Sequence, residues 1–117
     1  MENQTIILKN LPKVSLNAWY AGKHWSDRKE MKDNYITIVN SQFRHVFSKD
    51  GIYSCHYAFE FKNKPLDASN CVAMAKMIED IIFEDDKFDI VTNIGFSSCK
   101  GKEDKVTIKV IDLKDDI

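Results

Sequence analysis

Seven acidic residues fall between positions 67 and 89: Asp67, Glu79, Asp80, Glu84, Asp85, Asp86 and Asp89. Lys76 and Lys87 are the only cations in that stretch. Carboxylate oxygens are the donors that hard divalent cations such as Mg²⁺ take, commonly one or two from protein, with water and phosphate completing the shell. At a phosphodiester such an ion activates water and neutralises charge on the phosphorus. Aspartate suits this chemistry because its short side chain holds the ion close to the backbone. Lys76 has the right charge to neutralise a scissile phosphate or to stabilise the leaving oxygen. The same residues also read as ordinary surface chemistry. Acidic side chains favour helix starts, acidic turns are commonly just solvated, and Lys76 and Asp80 are spaced for a surface ion pair worth about 0.3–0.5 kcal/mol.

The elements around these residues set a geometric condition. Cys71, Met74, Ala75, Ile78 and Ile82 recur at helical spacing, which predicts a helix from about Asn70 to Ile82. Asp67 stands just before it, and Asp85 and Asp86 just after it. A helix of ~13 residues spans ~20 Å, so it cannot bring its own two ends together. The chain near Asp67 or Asp86 must fold back, or a partner subunit must contribute.

The rest of the chain supplies a sheet. Thr5 to Lys9 is β-branched and apolar and reads as a strand, followed by a long loop over 10–23 containing Pro12 and Gly22. Ser26 can cap a first long helix, which the spacing of Met31, Tyr35, Ile38, Val39, Gln42 and Val46 carries to about Phe47. Tyr53, Cys55, Tyr57, Phe59 and Phe61 alternate with more polar neighbours, the signature of a strand with one buried face. Phe88–Ser97 reads as a weaker strand, Lys100–Asp104 as a turn, and Val106, Ile108 and Val110 as the last strand. The order β-α-β-α-β-β predicts an α+β domain, a mixed sheet packed against two helices, with the last two strands as an antiparallel hairpin.

The 117 residues suit one domain, 1–117, with a core over about 5–112. No apolar run approaches the ~20 residues of a membrane-spanning helix, and the start of the chain lacks a signal-peptide pattern, so a cytoplasmic protein is expected. Cys55, Cys71 and Cys99 are odd in number and contain no CxxC pair, which argues against a zinc site and a disulfide framework. Each is expected as a small buried or half-buried residue. The net charge of −1 is unevenly spread. Residues 1–64 hold ten Lys/Arg and six Asp/Glu, whereas residues 65–117 hold seven and twelve. An acidic site beside a basic surface suits phosphate chemistry on nucleic acid, and charge also varies this way along many soluble chains.

Two segments together resemble the RusA-like family of Holliday-junction endonucleases. The first is Ser15-Leu16-Asn17, then His24-Trp25, Arg28 and Lys32. The second is Asp67-Ala68-Ser69-Asn70, then Lys76, Asp80 and Asp85-Asp86, similar to a family pattern of DxDN, a helical lysine, an aspartate one turn later and a DD pair. The resemblance runs over roughly residues 5–112, nearly the whole chain. It implies a homodimer that recognises four-way DNA junctions and nicks opposing strands with Mg²⁺ or Mn²⁺, of a kind common in phages and prophages. It implies metal-binding roles for Asp67 and for Asp86 or its neighbour Asp85, a catalytic lysine at Lys76, and catalytic work at Asp67, Lys76 and Asp86. Asp80 matches a helical aspartate of open role and is carried as a further metal-ligand candidate. Asn17, His24, Arg28, Lys29 and Lys32 fall where DNA contact is expected. Ser69 departs from the pattern, standing where the family has its second metal-binding aspartate. Three readings follow: compensation by Asp80, Asp85 or Glu79; a slower enzyme; or a catalytically weak or inactive protein that binds branched DNA.

Trp19, Tyr20 and Trp25 are candidates for base stacking, although such aromatics more often anchor a loop to the core. His24 and His45 are candidates for phosphate contact or proton transfer, and His56 is expected on the outer face of its strand.

Overall fold

The computed structural model describes residues 2–20 and 25–114. In chain order the elements are β1 (Glu2–Lys9), α1 (Leu16–Tyr20), α2 (Trp25–Gln42), β2 (Tyr53–Phe61), a 3₁₀ turn (Ala68–Cys71), α3 (Val72–Ile82), β3 (Val91–Lys100) and β4 (Lys105–Asp112). The strands form one mixed sheet in the order β1-β4-β2-β3. β4 runs antiparallel to both β1 and β2, and β3 runs parallel to β2. The α+β expectation holds, with α1 added inside the stretch read as loop.

Alternation decides which face of the sheet is covered. Ile6 and Leu8 of β1, the five odd-numbered residues of β2, and Val106, Ile108 and Val110 of β4 are all buried. The intervening positions are exposed, as at Thr5, His56 and Lys109, or half-buried, as at Ala58 and Thr107. Tyr35 and Val39 of α2 and Met74, Ile78 and Ile82 of α3 complete the same buried cluster. The result is two layers, helices against one sheet face, the usual way to bury one face of a sheet. Trp19 is buried in this cluster too, so it anchors α1. Cys55 and Cys71 are buried and Cys99 is exposed, and all three are free thiols. Among the described residues, no helix is long and apolar enough to cross a membrane.

Two expectations are corrected by long-range pairing. First, β3 and β4 do not form a hairpin, because β2 lies between them. The link over residues 101–104 crosses the end of β2 instead. Gly101 N donates to Phe61 O (2.9 Å), and Lys62 N donates to Asp104 Oδ1 (2.9 Å). Three adjacent strands span roughly 10 Å between the outer two, which four extended residues can bridge. A central β4 buries Val106, Ile108 and Val110 against neighbours on both sides. Second, α2 ends at Gln42 rather than near Phe47. Gln42 exchanges two hydrogen bonds with the backbone of Lys9, accepting from its N–H (2.7 Å) and donating to its carbonyl (2.8 Å). Phe47 leaves the helix to bridge Phe83, donating to Ile82 O (2.8 Å) and accepting from Glu84 N (2.9 Å). Its ring packs against those of Tyr53 and Phe83 at 5.5 and 5.1 Å, which also meet each other at 5.2 Å. An aromatic cluster of that kind outweighs one more helical turn.

Asp104 therefore closes the crossing. Asp104→Ala is expected to lower stability by about 1 kcal/mol, seen as a lower urea midpoint. Asp104→Asn should keep most of it, because the amide oxygen still accepts from Lys62 N. Equal midpoints for Asp104→Ala and wild type would remove this role.

Candidate functional site

Lys76 projects from the exposed side of α3 into a group of carboxylates. Its Nζ donates to Asp86 Oδ2 and lies 3.2 Å from Asp80 Oδ1 and 3.7 Å from Glu79 Oε2. Asp80 and Glu79 reach it because residues three and four apart on a helix share a face. Asp86 reaches it because the chain turns back after α3. The Phe47–Phe83 bridge fixes that reversal, and Asp86 returns alongside the middle of the helix. The chain thus folds back at the C-terminal end of α3 far enough to bring Asp86 to Lys76, but not to Asp67.

The electrostatics are unequal. Partial burial pulls the Lys76 ammonium down, but hydrogen bonds to Asp86 and Asp80 outweigh it and hold it above its ordinary value. The bond from Lys76 holds the Asp86 carboxyl below the usual carboxylate range. Glu79 goes the other way. It is only 5 % exposed, and burial, with Asp86 beside it, pushes its carboxyl up to about 7. Glu79 Oε1 is fully buried with no hydrogen-bond partner. Asp86 pairs with the Glu79 carboxyl only while Glu79 carries a proton to donate, which its raised value allows. The Tyr57 hydroxyl is also buried and unpartnered. Tyr57 and Glu79 line one cavity of about 80 Å³ between α3 and the sheet, with Ile94 and Phe96 of β3.

A cleft of about 450 Å³ opens on the other side of Lys76. Leu16 and Trp19 of α1, Lys32 of α2, and Val72, Lys76 and Asp80 of α3 line it. Lys32 and Asp80 also border a neighbouring groove of about 370 Å³ floored by Ile36, Val46, Met77 and Ile81. Two lysines from different helices therefore flank one opening beside the carboxylates. A cleft of about 460 Å³ elsewhere, lined by Asn3, His45, Ser48, Tyr53 and Asp112 among others, has no lysine in its wall.

The residues expected from the sequence are distributed as follows. Lys76, Asp80 and Asp86 come together. Asp85 does not join them: its Oδ1 accepts from Lys87 N (3.2 Å) and its Oδ2 pairs with Lys87 Nζ (3.8 Å). Of the two neighbouring aspartates, Asp86 is the one that meets Lys76. Asp67 is exposed at the start of the 3₁₀ turn, where its carbonyl accepts from Asn70 N (2.8 Å). Eight residues of 3₁₀ and α backbone separate it from Lys76, roughly 15 Å along the helical path, and no hydrogen bond or ion pair joins Asp67 to this cluster among the described residues. Ser69 is exposed inside the 3₁₀ turn. It does not cap α3, whose N-cap position is Cys71 with no side-chain cap bond. Among the described residues, no group of three or more His, Cys, Asp or Glu side chains is already placed to hold a metal ion.

Of the residues expected at DNA, Asn17 is exposed on α1. Arg28 Nε donates to Trp19 O (3.1 Å), tying α2 to α1. Lys29 pairs with Asp33 at 3.0 Å on the solvent side. Lys32 reaches the cleft, and His24 lies outside the described residues. His56 is exposed, as expected for its strand position.

Glu79 is the residue whose place sequence reasoning undervalued. Its signal was present: it follows Ala75 by four and precedes Ile82 by three, so it falls within the buried stripe of α3. A carboxylate at an apolar position of a helix is the pattern that marks a site rather than a surface. No protein-family model matches this chain, and no curated protein matches it.

Proposed function

We propose that this protein is a metal-dependent, structure-selective endonuclease that nicks four-way DNA junctions. The observation that supports this best is the meeting of Lys76 with Asp80 and Asp86 at the edge of a cleft that Lys32 also lines. Cations flanking an opening suit the phosphate backbone, which carries most of the affinity of proteins for DNA. Carboxylates in the same opening supply the oxygen donors that Mg²⁺ or Mn²⁺ takes. When bound there, such an ion supplies an activated water and charge neutralisation at phosphorus. The protein's own part is positional. Lys32 and Lys76 hold the phosphate, Asp80 and Asp86 hold the ion's side of the cleft, and Lys76 stabilises the charge that develops on the departing oxygen. The protein acts as a homodimer, so that two opposed strands are cut, and works in the cytoplasm, encoded by a phage or prophage.

A second reading has its own support. Asp67 stands apart from the cluster, and Ser69 offers no carboxylate. On this reading the protein binds branched DNA on the same surface and cuts it weakly or not at all.

The deciding test is a labelled four-way junction, with a linear duplex control, in Mg²⁺, Mn²⁺ or EDTA. Paired nicks near the crossover that vanish in EDTA are expected. Salt-sensitive junction binding without nicking in either metal would overturn the endonuclease reading in favour of the binding one. No preference for the junction over the duplex would overturn both.

A further inference from the structure

We infer that the cleft beside His45 is a base-binding site, which takes an unpaired adenine from a DNA strand whose backbone runs through the opening between Lys32 and Lys76. The choice of DNA as the carrier rests on the branched-DNA reading, whereas the make-up of the cleft does not.

The cleft follows from where α2 stops. The helix ends at Gln42, and Phe47 turns away to bridge Phe83. One end of the helix-facing side of the sheet is thereby left open. Alternation puts Gln4 of β1 on the side of Ile6 and Leu8, and Asp112 of β4 on the side of Val106, Ile108 and Val110. The register sets Gln4 beside Val110 and Asp112 beside Tyr53. Two polar side chains thus hold core-facing positions that the pattern elsewhere gives to apolar ones. Both line the cleft of about 460 Å³, a size typical of small-ligand sites. The exposed His45 ring forms part of its wall, edge-on to Phe47 at 5.0 Å and to Phe43 at 6.0 Å.

Chemistry selects the occupant. Among the described residues no lysine or arginine lines this cleft, so it suits a base rather than a phosphate. An exposed imidazole offers a stacking platform. The Gln4 amide can donate to adenine N7 and accept from its N6 amino group, and the Asp112 carboxylate can take the second N6 hydrogen. Asp112 Oδ1 already accepts from Lys114 N (3.0 Å), which uses one of about four acceptor sites on a carboxylate. Thymine presents a carbonyl oxygen in place of that amino group and would set an acceptor against Asp112. Position points to a strand rather than a free nucleoside. Val46 lines both this cleft and the groove floored by Ile36, Met77 and Ile81. Lys32 and Asp80 line both that groove and the opening at Lys76. The three depressions therefore adjoin one another, with cations at one end and aromatic rings at the other. A charged path for the backbone beside rings for the bases is how single strands are held.

The test uses the full chain in EDTA with oligodeoxyadenylate and oligothymidylate of equal length, and with adenosine alone. Fluorescence anisotropy reads affinity, and amide chemical shifts locate the contacts. The adenylate is expected to bind roughly tenfold more tightly than the thymidylate. It should shift the signals of Gln4, His45 and Asp112 together with those of Lys32 and Lys76. Gln4→Met keeps the length of the side chain and removes the amide. It is expected to bring the two affinities together while leaving that for thymidylate unchanged, which also shows the variant to be folded. His45→Ala is expected to weaken adenylate binding roughly tenfold through lost stacking. Equal affinities in wild type, or a preference that survives Gln4→Met, would overturn the base site. Adenosine held in the cleft as tightly as the oligoadenylate would overturn the strand as its carrier. Either of these results together with metal-dependent nicking of a four-way junction would leave the endonuclease reading standing. The expected adenine preference without any preference for the junction over a duplex would instead uphold the cleft and overturn the branched-DNA reading.

Discussion

Asp86→Asn is expected to abolish metal-dependent nicking of a four-way junction while leaving the fold and most DNA affinity in place. The side chain keeps its size, so nothing in the packing of the returning chain changes. What is lost is a full negative charge at the point where Lys76 meets the cluster. If that charge helps hold a cation worth several kcal/mol of transition-state stabilisation, the rate should fall by roughly 10³-fold, since each 1.36 kcal/mol is tenfold. Junction binding in EDTA should stay the same or rise slightly, because a negative group near the phosphates has gone. Asp85→Asn is the matched control. Asp85 faces Lys87 rather than Lys76, so it should nick within a few-fold of wild type. Full activity in Asp86→Asn, measured with the same junction and metal, would remove Asp86 from the site.

Raising the pH from about 5 to 8, without divalent ions, is expected to destabilise the protein by an amount that Glu79→Gln largely abolishes. Burial holds the Glu79 carboxyl up to about 7 in the folded chain, whereas an unfolded glutamate titrates near 4.3. Between those values the folded state binds the extra proton. Stability therefore falls as pH rises through that window, and the loss is complete above the folded value. Scaled at 1.36 kcal/mol per unit and discounted for the compensating Lys76 charge, the loss is on the order of 2 kcal/mol. Asp86 contributes with opposite sign in a separate window: its carboxyl is held below the usual range by Lys76, so its contribution is present above the unfolded value and lost as pH falls through the folded one. Urea unfolding at pH 5 and pH 8 separates the two. Equal pH dependence in Glu79→Gln and wild type would mean that Glu79 is not the group responsible.

Features that depend on near neighbours along the chain are legible in the amino-acid sequence. β2 follows from the two-residue alternation of Tyr53 to Phe61, and α3 from the stripe Cys71, Met74, Ala75, Ile78 and Ile82. The Lys76–Asp80 pair follows from helical spacing alone. Local geometry repeats every two or 3.6 residues, so the pattern carries its own evidence. Glu79 lay within reach of the same reasoning, as a carboxylate inside an apolar stripe.

What the tertiary structure decided are the meetings between residues far apart along the chain. Asp86 rather than Asp85 faces Lys76, because the Phe47–Phe83 bridge sets where the returning chain lies. Lys32 joins Lys76 at one cleft only through the packing of α2 on α3. Asp67 is left at the far end of the helix, since the 3₁₀ turn extends α3 away from it. The strand order β1-β4-β2-β3 overrode the short link that suggested a hairpin. A link of four residues allows both arrangements, and the choice belongs to burial. Between β1 and β2, the apolar row of β4 is covered from both sides, and no local pattern records which neighbours will do the covering.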